Sequence, residues 1–524
     1  MVSVLKSLNK LFTARSRFSG LYFWLCVLLL FFIFDLGHIL PLKPQSLHLW
    51  RQADCLSITY NYYADNNPFF KPSMQNLGNS GTGQTISDFP ILYYFIAVLW
   101  KIFGQHELIY RSFVYLLSIT SLWAIFKIAE KHLNDTLFAM ITCFSLYMSP
   151  MYVYYSTNFL TNLPALSIVF IAWFFFWKYN KSNRRMFLLF SITLFTLAAL
   201  LKVTSAFSFV ALFLIFVFND IILKKVTKKD TIITHPLLFI LASFISFTIV
   251  FSWILYAKKY NEQNNGGFFL IGILPIWNFS KNEILNGFNN IKYHISKDYF
   301  FPTLQYILIS TLFVLIYFFR KANQFLLQLI IISSVGFLLY IMLFYQAVII
   351  HDYYVTNFLF LIPIILFSLF DFLRKNHSFI YNSLIFRLIV LTFLILGIKF
   401  SFNEFKLRYT GWANVDWEHH GKSLSHITPF LDSLGINKED KILCISDRTI
   451  NASLYYMNKK GWTGYGKPYV DSVLIKSRLD QGAKYIINYD PNLAEKKDIA
   501  PYLNQKIGGF NNIDIYKVSI PKEQ

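Results

Sequence analysis

The sequence predicts an all-α polytopic membrane bundle of about eleven transmembrane helices, followed by a small α/β domain outside the membrane. Three observations predict it. The 524 residues are 55% hydrophobic and 19% aromatic but only 15% charged, and their mean hydropathy of +0.44 exceeds that of soluble domains. Apolar runs of about 17–25 residues, enough to cross roughly 30 Å of hydrocarbon, recur along the first three quarters of the chain. After residue 403 the composition becomes mixed in charge, with short β-like runs.

The elements follow in order. Lys6, Lys10, Arg15 and Arg17 precede the first apolar run, which lacks a small-residue cleavage site and reads as an uncleaved span that starts in the cytoplasm. Further runs begin near Leu21, Ser112, Thr136, Leu163, Met186, Ala206, Pro236, Thr303, Phe325, Val355 and Ile385. The segment from Phe89 to Phe103 is too short for length alone to decide. Charge decides it. If it does not cross, Lys178, Lys181, Arg184 and Arg185, then Lys224, Lys225, Lys228 and Lys229, then Arg320 and Lys321, then Arg374 and Lys375 all face the cytoplasm. It is therefore expected to be an amphipathic helix on the outer membrane surface, inside a long first outer loop from 41 to 111. Alternation places Asn158 to Asn162, Lys202, the loop from 257 to 301 and His351 to Tyr354 on the same outer side. The tail beyond 403 follows them, with strand-like "KILCISD" (Lys441 to Asp447) and "AKYIINY" (Ala483 to Tyr489). The expected domains are 1–403, membrane-embedded, and 404–524, extracytoplasmic.

Several function classes are excluded by pattern. The formal net charge of +20 lies in short clusters between apolar runs, which fits topology rather than a nucleic-acid surface, so no nucleic-acid partner is expected. Cysteines 26, 55, 143 and 444 have neither disulfide nor zinc spacing. "GNSGTGQT" (Gly78 to Thr85) lacks the strand, helix and Lys of a phosphate-binding loop. No His and carboxylate spacing points to a catalytic metal.

The unusual polar residues gather on the outer side. Ionisable groups near a span persist where a cavity, water or ligand receives them. In "HLWRQAD" (His48 to Asp54), Asp54 lies three residues after Arg51, on one helix face, and can serve as a general base; the plainer reading is an ion pair beside an interfacial Trp50. Asp88, before "FPILYY", reads as the cap of the surface helix. Lys202 ends one span and is either a snorkelling lysine or a point charge for a phosphate. His351, Tyr353 and Tyr354 are an aromatic belt or hydrogen-bond donors to a sugar phosphate. Asp35 and His38 are secondary candidates expected to face the bundle.

With "HLWRQAD", then "DFPILYYFIAVLWKIFG" followed by Arg111, "MSPMYVYYSTNFLTNLP", "LLKVTS" and "HDYYVTNFLFLIP", the first 370 or so residues resemble bacterial membrane glycosyltransferases of the C-type superfamily (GT-C), in particular the protein mannosyltransferase branch (family 39-like) and the lipid A aminoarabinose transferases. The resemblance implies the GT-C fold and an acidic catalytic residue in the first outer loop, which falls on Asp54, here in Asp-Cys where relatives often have Asp-Glu. Lys202 falls where relatives keep a lysine for the donor phosphate, and Asp88 where this branch more often shows Glu. Asn162 stands where relatives have a second acid, a departure that weakens any metal site. "LYYMNKKGW" (Leu454 to Trp462) also resembles relatives with a similar tail, without an assigned role.

The implied activity is transfer of one sugar from a polyprenyl-phosphate donor to a hydroxyl of a glycan, lipid or protein at the outer face, with inversion. Asp54 is the expected base, and Arg51, His48, Asp88, Asn162, Lys202, His351, Tyr353 and Tyr354 are the expected substrate-binding residues, bordering one water-filled pocket. No cofactor is expected, with the question of a divalent ion left open. The expected location is the bacterial inner membrane, multi-pass, with the N-terminus cytoplasmic. A transporter or flippase, and an O-antigen ligase or polymerase acting on lipid-linked oligosaccharide, are the alternatives; a transporter would place charges at the midplane and show paired halves.

Overall fold

The computed structural model describes residues 16–223, 231–264, 268–269, 272–466 and 470–518. The basic residues Lys6, Lys10 and Arg15 and the cluster of Lys224, Lys225, Lys228 and Lys229 lie outside the described residues.

All eleven apolar runs are helical. Seven of these helices are long and apolar enough to cross a membrane: Glu107–Leu133, Asn162–Ser182, Val203–Leu223, Pro236–Gln263, Gln324–Leu343, Asp352–Asn376 and Leu384–Arg408. Two bent pairs, Thr136–Met148 with Pro150–Ser156 and Lys281–Tyr299 with Pro302–Tyr317, raise the number to nine if each is one span. Ser19–Ile33 and Arg185–Leu201, with 15 and 17 residues, extend only about 22–26 Å at ~1.5 Å per residue. By length and composition, then, the described residues hold seven to nine spans, beside these two shorter apolar helices.

The bends have local causes. Pro150 has no N–H and drives Ser149 into an extended conformation (φ −106°, ψ 111°), so the chain turns by 83°. The Ser149 hydroxyl then accepts the Tyr152 N–H at 3.1 Å and caps the new helix. Pro302 opens Pro302–Tyr317 in the same way after a bend of 104°.

The chain divides into two compact units, 1–41 with 110–253 and 272–406, and 42–109 with 254–271 and 407–524. This differs from a linear division at residue 403, because the first long loop packs with the tail. The first unit is the helical bundle. Its centre is formed by Asn162–Ser182 and Asp352–Asn376, whose most apolar windows are 72% and 83% buried, whereas Pro236–Gln263 and Leu384–Arg408 are 17% and 22% buried and form its rim. Asp35 and His38 are exposed while Leu36 and Ile39 face inward. The expectation that both polar residues face the bundle is thus corrected: Asp35 takes a left-handed conformation (φ 49°) that breaks the first helix and rotates the next turn.

The second unit contains a five-stranded sheet, β1 (Lys441–Cys444), β2 (Gly461–Thr463), β3 (Ala483–Asn488), β4 (Lys506–Phe510) and β5 (Ile513–Lys517). The order is β2-β1-β3-β5-β4, with β1 parallel to β2 and β3, and β5 antiparallel to β3 and β4. Leu443 pairs with Trp462 and Ile486, and these three side chains enter the unit's apolar core with Leu474 and Ile475. The first loop supplies a sixth edge. Leu77 N–H donates to Gly461 C=O (2.8 Å) and Gly461 N–H donates to Gln75 C=O (3.1 Å), while Leu77 joins the same core. Gly461 is required there: its φ is 153°, and a Cβ would lie 1.8 Å from the Ile442 carbonyl oxygen.

Also in this unit, Ile91–Phe103 forms a 13-residue helix. Leu92, Tyr93, Ile96 and Trp100 are buried, and Phe95, Val98, Ile102 and Phe103 are exposed. A helix this short does not span a bilayer, yet it exposes apolar side chains as an interfacial helix does.

Candidate active site

The second unit holds the first group of candidate residues, built on the helix Leu49–Ala64. Twelve of its 16 residues are buried, among them Gln52, Asp54, Ser57, Thr59 and Asn61. Such a polar helix stays inside only where its groups are paired. His48 precedes it in a left-handed conformation (φ 54°) and accepts the Gln52 N–H on its carbonyl at 3.1 Å.

Asp54 is 3% exposed and accepts a hydrogen bond from the Asn451 amide at 2.9 Å. The Asn451 amide is oriented by its other partners: its oxygen accepts the Asn76 N–H at 2.9 Å and the Ser57 hydroxyl at 3.2 Å, which leaves its NH2 group for the carboxylate. Burial raises the Asp54 pKa to about 6, opposed by Arg51 and by the Asn451 hydrogen bond and assisted by the nearby Asp447. At neutral pH Asp54 is therefore mostly ionised, and it is a stronger base than an exposed carboxylate.

Arg51 lies close enough to act on Asp54 electrostatically, but its ion-pair partner is Asp88, which also accepts the Tyr93 hydroxyl at 3.0 Å. Two readings change here. The helix Ile91–Phe103 begins with Pro90 and has no side-chain cap, so Asp88 is not its cap. Nor do Arg51 and Asp54 satisfy each other alone, because Arg51 reaches across to the loop while Asn451 serves Asp54.

Asp447 and Asn451 lie beyond the carboxyl end of β1, on its connection to β2, and the parallel neighbours β2 and β3 flank β1 on either side. Ligand sites of open parallel sheets form at that position. Asp447 is itself buried and accepts the Thr449 N–H (2.7 Å), the Thr449 hydroxyl (3.0 Å) and the Ser453 N–H (2.9 Å), and burial raises its pKa. The sequence carried a partial signal for both residues, an Asp ending a strand-like run and an Asn three residues before "LYYMNKKGW". Their approach to Asp54, 397 residues away from Asn451, had none.

The bundle holds the second group. Lys202 interrupts the helix Arg185–Leu201 in an extended conformation (φ −155°, ψ 115°), ahead of a 3-10 turn, Val203–Ala206. Its ammonium lies 5.0 Å from the centre of the Tyr354 ring. His351, Tyr353 and Tyr354 stack on one another, with centroids 5.2 Å apart for His351 and Tyr353 and 4.9 Å for the two tyrosines. Two contacts fix this stack. The Asn162 amide donates to the Tyr353 carbonyl at 2.8 Å, and the Tyr155 hydroxyl donates to Asp352. Asn357 secures the lysine's turn, donating to the Thr204 hydroxyl (2.6 Å) and accepting from Ser205 (2.8 Å). Arg111 is fully buried, donates to the Thr157 carbonyl and covers the Phe159 ring at 4.2 Å, which braces the turn ahead of Asn162.

The structure thus gathers Lys202, Asn162, His351, Tyr353 and Tyr354 in the bundle, and Arg51, Asp54 and Asp88 in the second unit. Asp352, expected with its neighbours to meet a sugar phosphate, instead accepts from Tyr155, and Tyr155, Asn357, Asp447 and Asn451, which had no assigned role from sequence, complete the two groups. Among the described residues, no three His, Cys, Asp or Glu side chains come together as a metal site would require.

Residues 87–255 match the family described as dolichyl-phosphate-mannose-protein mannosyltransferase. That stretch contains Asp88, Asn162 and Lys202, and ends short of the tail. No curated protein matches the chain by sequence. Among solved structures, ArnT from Cupriavidus metallidurans bound to undecaprenyl phosphate superposes with a TM-score of 0.61 at 12% identity, over 96% of this chain and 98% of that one. Its apo state gives 0.58 at 12%, over 95% and 97%. The Archaeoglobus fulgidus oligosaccharyltransferase in complex with Zn and sulfate gives 0.50 at 10%, over 85% of this chain and 64% of that one. At such identities the likeness establishes the fold, a GT-C bundle with a C-terminal α/β part.

Proposed function

We propose that this chain, a multi-pass membrane glycosyltransferase of the C-type superfamily, transfers a single sugar from a polyprenyl-phosphate donor to a hydroxyl acceptor at the extracytoplasmic face of the bacterial inner membrane. The observation that carries the reading is a buried carboxylate held by an oriented amide, its pKa raised by burial to about 6, in a fold shared with ArnT, whose crystal structure holds undecaprenyl phosphate.

The chemistry is one displacement. The acceptor oxygen forms a bond to the anomeric carbon as the bond from that carbon to the phosphate oxygen breaks, and configuration inverts. Asp54 takes the acceptor's proton, and the leaving polyprenyl phosphate keeps the electron pair. Lys202 balances the charge that develops on that phosphate, and the donor groups of His351, Tyr353 and Tyr354 assist. Asn162 acts through the Tyr353 carbonyl, as a positioning residue. Arg51, with Asp88, keeps positive charge beside Asp54 and favours its ionised form, and His48 lies at the start of the same helix. The acceptor is a glycan, lipid or protein hydroxyl.

Incubation of the purified chain with a labelled polyprenyl-phosphate monosaccharide and cell-envelope acceptors tests the reading. Release of polyprenyl phosphate with label on an acceptor is expected. Label that crosses a vesicle membrane with its lipid intact would instead indicate a transporter, and transfer from a labelled polyprenyl-linked oligosaccharide with none from the monosaccharide would indicate a ligase.

Asn451 makes a second expected result. Its amide favours ionised Asp54, so Asn451→Ala should raise the Asp54 pKa above 6 and move the acid limb of the transfer rate to higher pH. Activity should recover on the alkaline side. A uniform loss at every pH, with the limb unmoved, would reduce Asn451 to a packing residue.

A further inference from the structure

Three half-buried aromatic side chains of the second unit, Phe268, Phe269 and Tyr465, gather beside Asp54 and its partners and take no part in the displacement itself. Tyr465 stands two residues after β2, at the same end of the sheet as Asp447 and Asn451, because β2 runs parallel to β1. Its backbone is held by the network that holds Asp54. The Gly464 N–H donates to the Asp447 carbonyl (2.8 Å), and the Tyr465 N–H donates to the Thr463 hydroxyl (3.4 Å), which also accepts from the Asn76 amide (3.2 Å). The Asn76 N–H in turn donates to Asn451, the partner of Asp54. Burial, and after it the charge of the nearby Asp54, raises the Tyr465 pKa, so the phenol keeps its proton and can donate.

The Tyr465 and Phe268 rings meet at 42° with centroids 5.9 Å apart, an angled pair rather than a face-to-face stack. Gly78 makes room for Phe268: its φ is 62°, and a Cβ there would lie 3.1 Å from the Phe268 ring. The Phe269 ring lies 5.0 Å from the Arg51 guanidinium, on the helix that carries Asp54.

An aromatic rim beside the base selects among acceptors. A sugar ring has a flat C–H face, drawn to the negative face of an aromatic ring, and an edge of hydroxyls that a phenol can bind. A serine or threonine hydroxyl brings no such face. It comes on a peptide backbone, which proteins commonly hold by adding it to an open sheet edge. The edge beside this site is closed, because Gly461 of β2 already pairs with Gln75 and Leu77, and the other edge, β4, lies at the far end of the sheet.

We infer that the attacking hydroxyl belongs to a sugar ring of the acceptor, which stacks on Tyr465 and Phe268 while Asp54 takes its proton. This acceptor assignment rests on the transfer reading and narrows its acceptor to saccharides, free or carried on a lipid.

The test uses the full chain in proteoliposomes with a labelled polyprenyl-phosphate monosaccharide and a cell-envelope extract. Label is expected on a saccharide: it should survive protease and alkaline β-elimination, which frees sugars from serine and threonine, and permethylation should find it on a sugar hydroxyl. Tyr465→Ala should raise the half-saturating amount of acceptor about tenfold, the scale of one aromatic contact, with kcat and donor photolabelling little changed. Tyr465→Phe, which keeps the ring, should lose less, and Phe268→Leu, which removes only an aromatic face, should raise the same quantity by a smaller factor. Label on protein or on a non-sugar hydroxyl, unchanged acceptor saturation in Tyr465→Ala or Phe268→Leu, or equal losses in Tyr465→Ala and Tyr465→Phe overturns the assignment and leaves the transfer reading standing. Absence of transfer to any acceptor by the parent chain would instead remove the transfer reading, and the assignment with it.

Discussion

Asp54→Asn is expected to abolish sugar transfer while leaving the chain folded and able to bind the donor. A positioned general base contributes roughly 10²–10⁴-fold to rate, and the amide keeps the shape and can still accept from Asn451 but cannot take a proton. The stability of the variant separates chemistry from misfolding. In the folded chain Asp54 holds its proton up to about pH 6, against a reference of 3.8. Between those values the folded state binds more protons than the unfolded one, so the contribution of Asp54 to stability falls as pH rises from about 4 to 6 and stays low above it. The substituted amide would not titrate. Thermal denaturation in detergent at pH 8 should therefore find Asp54→Asn no less stable than the parent, with transfer lost. Normal turnover in this variant would refute the base assignment, and a lower melting temperature at pH 8 would attribute the loss to unfolding.

Lys202→Ala should weaken binding of the polyprenyl-phosphate donor by roughly 10- to 100-fold, since a hydrogen bond to a charged group contributes about 1.5–3 kcal/mol. The competing account of Lys202 is structural: its ammonium faces the Tyr354 ring at 5.0 Å, and such a contact alone can anchor a lysine. Tyr354→Phe tests the phenol separately, because it keeps the ring that anchors the ammonium and removes only the hydroxyl. If Lys202 serves the phosphate, donor affinity measured by photolabelling should fall with Lys202→Ala, fall by a smaller factor with Tyr354→Phe, and recover in part with Lys202→Arg, a charge of different shape. Unchanged affinity in Lys202→Ala would return the lysine to its anchoring role.

Much of the bundle was legible because hydrophobic run length and loop charge report directly on a bilayer. Every apolar run became a helix. What the runs did not report was where helices break: Pro150 and Pro302 turn two of them through 83° and 104°, and Arg185–Leu201 stops at an extended Lys202. Asp54 stood out because a carboxylate beside Arg51 is unusual after a first span, but its closest contact did not. Asp88 followed the local rule for a helix cap and was claimed by a longer-range partner, Arg51, whose charge outweighs a cap hydrogen bond.

By itself, then, the sequence determined the class of molecule, its helices, the change of composition after residue 403 and the residue types able to do chemistry. Each of those follows from local composition and spacing. Only the tertiary structure decided that Leu42–Ile109 packs with the tail as one unit, that Gln75 to Leu77 extend its sheet, and that Asn451 reaches Asp54. The reason is physical: a buried polar atom takes its partner from whatever the fold brings within about 3 Å, and for Asp54 that partner lies 397 positions along the chain.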